Sequence, residues 1–251
     1  MGLALEGISK AYSSPQLSQP MGILNSLDLD VETGNFVSLI GPSGCGKSTI
    51  CNLVAGIELP DTGQILLDGE AIQGSPGHVG YMPQKDLLLP WRTLLDNVLL
   101  GCDILHKDKR QAREEAQEWL SQFGLAPFSA HYPHQLSGGM RQRGALLRTI
   151  LFGQKTLLLD EPFGALDALT RQEMQRWLLN IWDQTRHTVL FITHDIDEAL
   201  LLSDKVVVLS QRPAQILQEF TVPFPHPRDP NLLLSSDTLH LKKQLLQLLL
   251  H

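Results

Sequence analysis

Residues Gly41 to Thr49 read Gly-Pro-Ser-Gly-Cys-Gly-Lys-Ser-Thr, and Leu136 to Met140 read Leu-Ser-Gly-Gly-Met. The first stretch fits Gly-x-x-x-x-Gly-Lys-Ser, the spacing of a loop that cradles nucleotide phosphates. Gly41, Gly44 and Gly46 let the backbone turn tightly and aim successive N–H groups inward. A helix beginning at the same place adds its dipole. Lys47 is placed to neutralise the β- and γ-phosphates, the Ser48 hydroxyl to ligate Mg²⁺, and Thr49 to support the α-phosphate. Pro42, Ser43 and Cys45 complete the binding loop. At average composition the four fixed positions recur by accident in roughly one chain in a hundred of this length.

Four further positions could act on a bound phosphate. Leu157 to Pro162, Leu-Leu-Leu-Asp-Glu-Pro, is an apolar run ending in two carboxylates. Asp160 suits a Mg²⁺ site. Glu161, which strand alternation points elsewhere, suits a general base or water-orienting group. His194 and Gln84 follow apolar runs of their own, and the carboxyl ends of parallel strands are where open α/β sheets bind ligands. His194 could contact the γ-phosphate and the attacking water, and Gln84 the metal or the water. Ser137 can cap a helix whose head exposes the N–H groups of Gly138 and Gly139. That is a second anion site on a chain whose first already holds the phosphates.

The elements that must position these residues are legible in outline. Phe36 to Ile40 is a nearly continuous apolar run, as in a parallel strand buried on both faces. Thr156–Leu159, Val189–Thr193 and Val206–Leu209 read alike, with helical stretches Ser48–Ala55, Leu169–Thr185 and Ile196–Leu202 among them; Asp195 is the natural cap of the last. Alternation of this kind implies a mostly parallel α/β sheet. The opening third is β-rich: Leu3–Ile8, Leu27–Val31, and a hairpin over Gly63–Ile72 turning at Asp68-Gly69. From 86 to about 152 the pattern is helical, with Ala112, Ala116, Trp119, Leu120 and Phe123 on one face. Thr93-x-x-Asp96 forms a capping box. Val222 to Pro230 carries four prolines and should run extended over the surface. Leu241, Leu245, Leu248 and Leu249 then mark a helix capped by Ser236 or Asp237, packed on its own domain or docking a partner.

Composition narrows the classes. The 251 residues carry a net charge of −7 without a basic block, which argues against a nucleic-acid partner. Cys45, Cys51 and Cys102 show no metal-ligand spacing, and reduced thiols are the default. Cys45 lies within the phosphate loop, either as a small residue filling a Gly/Ala/Ser slot or, in the sharper reading, as a thiol whose oxidation or alkylation blocks nucleotide. The amino terminus lacks the pattern of a secretory signal, Glu6 disfavours myristoylation, and no apolar run is long enough to cross a bilayer.

As a set these motifs resemble the nucleotide-binding subunit of an ABC transporter over about 1–220. The resemblance implies a P-loop NTPase core of RecA type, with an N-terminal antiparallel β subdomain and an inserted α-helical subdomain at about 86–152. Positions 221–251 form the Pro-rich segment and C-terminal helix. It adds Tyr12 as the residue that stacks on adenine and Gly164-Ala165-Leu166-Asp167 as the D-loop. It also implies a homodimer that sandwiches two ATPs, each phosphate loop facing Ser137-Gly138-Gly139 of the other copy. Met140 departs from the usual Gln, and Gly164 from the usual Ser. Tyr81 to Gly101, Leu136 to Arg143 and the Pro-rich tail are similar to importers of the nitrate/sulfonate/taurine class, which includes carriers of pyrimidine thiamine precursors. This resemblance implies a peripheral ATPase on the cytoplasmic face of the plasma membrane. Its expected partners are two permease subunits, met near Gln84–Trp91, and an extracytoplasmic solute-binding protein. A soluble ABC-type ATPase acting on nucleic acid or ribosomes is the alternative. A P-loop kinase is disfavoured by the Leu-Ser-Gly-Gly turn and the Glu161–His194 pair.

Overall fold

A computed structural model of the chain describes residues 2–13 and 20–249. Met1, at the start of the expected cassette, and positions 250–251, at the end of the tail, lie outside the described residues. In chain order the main elements begin with strands β1 (Gly2–Tyr12), β2 (Met21–Glu32) and β3 (Phe36–Ile40), and helix α1 (Lys47–Val54). Then come β4 (Thr62–Leu67), β5 (Glu70–Ala71), β6 (Gly80–Met82), α2 (Leu94–Val98), α3 (Leu100–Ile104), α4 (Lys109–Gln122) and α5 (Gly138–Leu151). The chain continues through β7 (Thr156–Asp160), α6 (Ala168–Thr185), β8 (Thr188–Ile192), α7 (Ile196–Leu202), β9 (Lys205–Leu209), β10 (Ile216–Thr221) and α8 (Ser236–Leu249).

Two sheets organise these elements. The first, in order β2-β1-β4-β5, is antiparallel. Its last hairpin turns at Asp68 and Gly69, both with positive φ, as a two-residue turn between right-twisted strands requires. The second runs β10-β9-β3-β8-β7-β6; of its five pairings, β10 against β9 is antiparallel and the other four are parallel. Every residue of β3, β7 and β8 is buried, which is why those runs are continuously apolar rather than alternating. The carboxyl ends of β3, β8, β7 and β6 therefore open side by side on one edge, followed by the phosphate loop, His194, Glu161 and Gln84 respectively.

The helical insertion does not sit apart from the sheet. Leu94, Leu120 and Ala145 from its helices belong to the same apolar cluster as Phe36, Leu157 and Trp182. Thr93 caps α2 by accepting the Asp96 N–H at 3.2 Å, and its hydroxyl donates to the Asp96 carboxylate at 2.6 Å. A second cluster fills the space between the sheets, and a third lies beneath the C-terminal helix.

The tail departs from expectation in three respects. β10 pairs antiparallel with β9, although the Ile-Leu-Gln-Glu-Phe-Thr stretch carries little apolar patterning. The Pro-rich segment does not merely run over the surface. Arg228 is buried within it and donates to the carbonyls of Phe224, Leu200 and Ser203, the last two at the end of α7. Helix α8 starts one residue earlier than the expected caps allow, because the Ser235 hydroxyl accepts the Thr238 N–H. Leu241, Leu245, Leu248 and Leu249 pack against Ile196 and Leu200 of α7. Lys242 joins both Asp197 oxygens at 2.6 and 2.7 Å. Of the two readings of this helix, packing on its own domain is the observed one.

Candidate active site

The phosphate loop joins β3 to α1 and bounds an open cleft of about 330 Å³. Gly44 and Gly46 both hold positive φ, and a Cβ on Gly46 would stand 2.8 Å from the Ile23 side chain. Only glycine fits there without displacing β2. Ser43, Gly44, Gly46, Lys47, Ser48 and Thr49 line the cleft on one side, and Gln84, Asp160 and Glu161 on another. The Lys47 ammonium lies over the loop, donating to the carbonyls of Gly41 at 2.8 Å and Pro42 at 3.0 Å. The Lys47 ammonium also stands 3.9 Å from the Cys45 sulfur. Cys45 is 2% exposed and lies in the apolar cluster between the sheets. That burial closes the route an alkylating reagent would need and favours the reading of Cys45 as a small residue that fills the loop.

Asp160 is 2% exposed at the end of β7, with its carboxylate bonded to the Ser48 side chain. Burial pushes its carboxyl above the ordinary carboxylate range, the Ser48 hydrogen bond opposes this, Glu161 adds to it, and Lys47 opposes it. A buried carboxylate facing a hydroxyl across a phosphate loop is the oxygen pair a divalent cation takes when substrate phosphates supply further ligands. Among the described residues no cluster of three or more His, Cys, Asp or Glu side chains could hold a metal alone. The Asp160 and Ser48 oxygens fit a Mg²⁺ ion whose further ligands come from a nucleotide.

Glu161 leaves the strand with φ of +48°. This left-handed kink aims its side chain, where simple strand alternation had been expected to do so. Its carboxylate is bracketed by the two residues that the sequence placed on neighbouring strand ends. Gln84 Nε2 donates to Oε2 at 3.1 Å, and His194 Nδ1 stands 3.4 Å from Oε1. His194 itself is exposed, at 67%. Tyr12, near the end of β1, presents an exposed ring close to Thr49, with its hydroxyl donating to Glu58. Burial and that hydrogen bond raise the phenol's pKa.

The second glycine turn stands elsewhere. Ser137 caps α5 by accepting the Met140 N–H at 3.2 Å, but Ser137, Gly138 and Gly139 are not among the described residues lining the cleft. Arg141 and Arg143 take structural roles, Arg141 pairing with Asp86 at 3.0 Å and Arg143 donating to the Phe123 carbonyl.

A cluster behind His194 had no sequence signal. Glu198, buried on α7, accepts the Thr193 hydroxyl at 2.6 Å and Gln175 Nε2 at 3.1 Å. Arg171 stands 3.8 Å from Glu198, 3.9 Å from Asp195, and donates to the Leu166 carbonyl at 3.2 Å. The cluster ties the turn after Glu161 to the turn that carries His194. Its members are spread from 166 to 198, and only the fold assembles them. Glu198→Ala leaves the Thr193 and Gln175 donors without their buried partner, and is expected to cost about 1–3 kcal/mol, read as a lower urea midpoint. Burial raises the Glu198 pKa above its unfolded value. The stability due to its protonated form is therefore complete at low pH and is lost as pH rises through the raised value. Relative to Glu198→Gln, the parent should lose stability over that rise; a constant difference would refute the assignment.

A parallel sheet with a phosphate loop after one strand, and a bracketed carboxylate after another, defines a P-loop nucleotide hydrolase. Comparison with known proteins makes the class narrower. Residues 24–164 match the family described as ABC transporter. The aliphatic sulfonates import ATP-binding protein SsuB of Bacillus cereus is 41% identical over 91% of this chain and 89% of its own. The formylaminopyrimidine import ATP-binding protein ThiZ of Halalkalibacterium halodurans is 43% identical over 88% and 84% respectively. The bicarbonate transport ATP-binding protein CmpD of Synechococcus elongatus is 43% identical over 90% and 82%. A dimeric structure of the ABC transporter cassette MJ0796 superposes with a TM-score of 0.79 at 27% identity, covering 89% of this chain and all of that one. A second structure of the same cassette is a post-hydrolysis state bound to ADP and Pi. The chain belongs to the ABC transporter family, as an ATP-binding, ATP-hydrolysing cassette.

Proposed function

We propose that this chain energises a solute importer as the peripheral ATPase on the cytoplasmic face of the membrane. It works as a homodimer bound to two permease subunits, which an extracytoplasmic solute-binding protein supplies. The observation that carries the catalytic part is the placement of Glu161 between Gln84 and His194, beside the phosphate loop. The importer part rests on the relatives, whose names give sulfonates, formylaminopyrimidine and bicarbonate as cargo. A small polar solute of the nitrate, sulfonate, taurine or pyrimidine-precursor kind is the cargo class for this chain too. No nucleic acid enters this reading, in keeping with the net charge of −7.

In this reading the loop N–H groups and Lys47 hold the phosphates of ATP, and Tyr12 stacks on the adenine. Mg²⁺, held through Ser48, Asp160 and Gln84, supplies neutralisation of phosphate charge. Glu161 orients the attacking water and accepts its proton. Gln84 and His194 fix the carboxylate from both sides, and His194 reports on the γ-phosphate. Ser137, Gly138 and Gly139 of a second copy close over the site, so that charge spreading in the transition state meets oriented N–H groups.

The partner surface lies beside Gln84. Leu87 and Trp91 are 59% and 72% exposed, so Trp91 is no part of the core. An apolar groove of about 280 Å³, lined by Ile57, Tyr81, Ile104 and Phe152, also takes in Arg148, which donates to the Leu87 carbonyl. Exposed apolar surface of this kind marks a protein contact, and the permease is its occupant here. Trp91→Glu is expected to keep basal ATP hydrolysis in the isolated subunit and to abolish co-purification with an integral membrane partner. Wild-type chain that co-purifies with nucleic acid or ribosomes instead would favour the soluble ATPase.

A further inference from the structure

The cleft has one wall that none of the motifs accounts for. Arg212 closes it, from the loop between β9 and β10. β9 lies next to β3 in the sheet, so its carboxyl end opens beside the phosphate loop. From there Arg212 Nε donates to the Gly44 carbonyl, and Nη1 stands 3.2 Å from Met21 Sδ. Met21 is the strand partner of Tyr12. The guanidinium thus bridges the crest of the phosphate loop and the hairpin end that presents the Tyr12 ring.

Among the described residues Arg212 forms no ion pair and its charge has no counter-ion, and positions 14–19 contain no Asp or Glu. Among the described residues lining the cleft the other cation is Lys47, whose ammonium already meets two carbonyls and the Cys45 sulfur. A guanidinium carries five N–H donors, and a carbonyl and a thioether occupy two. Fixing the Gly44–Cys45 peptide accounts for Nε alone. The remaining donors stay available at the mouth of an anion-binding loop, and a guanidinium is suited to phosphate oxygens.

We propose that Arg212 is a nucleotide-binding residue that contacts the phosphate chain of ATP and ADP from the side opposite Gln84 and Glu161. The proposal rests on the reading of the cleft as the ATP site. The experiment is equilibrium binding of fluorescent ATP and ADP analogues to the full chain and to R212A, R212K and R212Q, with the thermal midpoint of each nucleotide-free protein. R212A should weaken both nucleotides by about tenfold, the scale of one charge-assisted hydrogen bond. R212K should recover part of the loss, and R212Q, which can still donate to Gly44 without charge, should not. The side chain is exposed, so midpoints should stay together. Parent-like binding by R212A would overturn the proposal. Full recovery in R212Q would also overturn it, by reducing Arg212 to a support for the loop. A parent chain that binds neither nucleotide would instead remove the reading of the cleft itself.

Discussion

Glu161→Gln is expected to slow ATP turnover by about 10²–10⁴-fold, the usual contribution of a positioned general base, with nucleotide affinity close to that of the parent. The side chain keeps its size and one acceptor oxygen, so the hydrogen bond from Gln84 can persist, 3.1 Å long in the parent. What disappears is the anionic oxygen that can take a proton from water. ATP would then bind and close the dimer without being consumed. The variant should therefore elute as a dimer in ATP and a monomer without it, while phosphate release falls. Turnover at the parent's rate would remove Glu161 from the role of base and leave the bracketing by Gln84 and His194 without a catalytic purpose.

Gly139→Asp is expected to cut turnover by about 10²-fold or more while leaving nucleotide binding by the single subunit intact. Gly139 lies in the first turn of α5, where an acidic side chain suits the helix dipole, so the fold should tolerate it. A Cβ there would stand 3.2 Å from a Leu166 methyl, a contact that a small shift relieves. The harm arises only when the turn meets phosphate, where the new carboxylate repels it. Mixing supplies the sharper measurement. A Gly139→Asp chain retains its phosphate loop, and a Lys47→Ala chain retains its glycine turn. Each should be inactive alone. If the two halves of a site come from different copies, the mixture regains one working site per mixed dimer. Absence of any recovery in demonstrably mixed dimers would mean that each chain completes its own site.

Much of this site was legible because its parts are local. Gly44 and Gly46 announce positive φ, Asp160 and Glu161 end an apolar run, and Ser137 precedes two glycines. Each of these signals lies within a few residues of the atoms it positions. The parts that stayed hidden are assembled across distance or read against pattern. Arg171, Gln175 and Glu198 meet only because α6 and α7 pack beside β8. Arg212 reaches Gly44 because β9 neighbours β3, a fact of strand order and not of spacing. β10 was missed since five of its six residues are not buried, and an edge strand paired on one side needs little apolar alternation. The burial of Arg228 was missed because a charged residue among prolines reads as surface, while its partners are carbonyls that no sequence pattern displays.

The left-handed backbone at Glu161 bears on how such a chain would decay under relaxed selection. A non-glycine residue held at φ of +48° costs on the order of 1–3 kcal/mol, and Gly or Asn there would relieve part of it. Folding and turnover therefore pull position 161 in opposite directions. In a lineage where one of two paired cassettes no longer needs to hydrolyse ATP, this position should drift early, and the drift should raise the melting temperature. A Gly or Asn at 161 in an otherwise intact cassette would then mark a retired catalytic half-site that still folds, binds nucleotide and supports its partner.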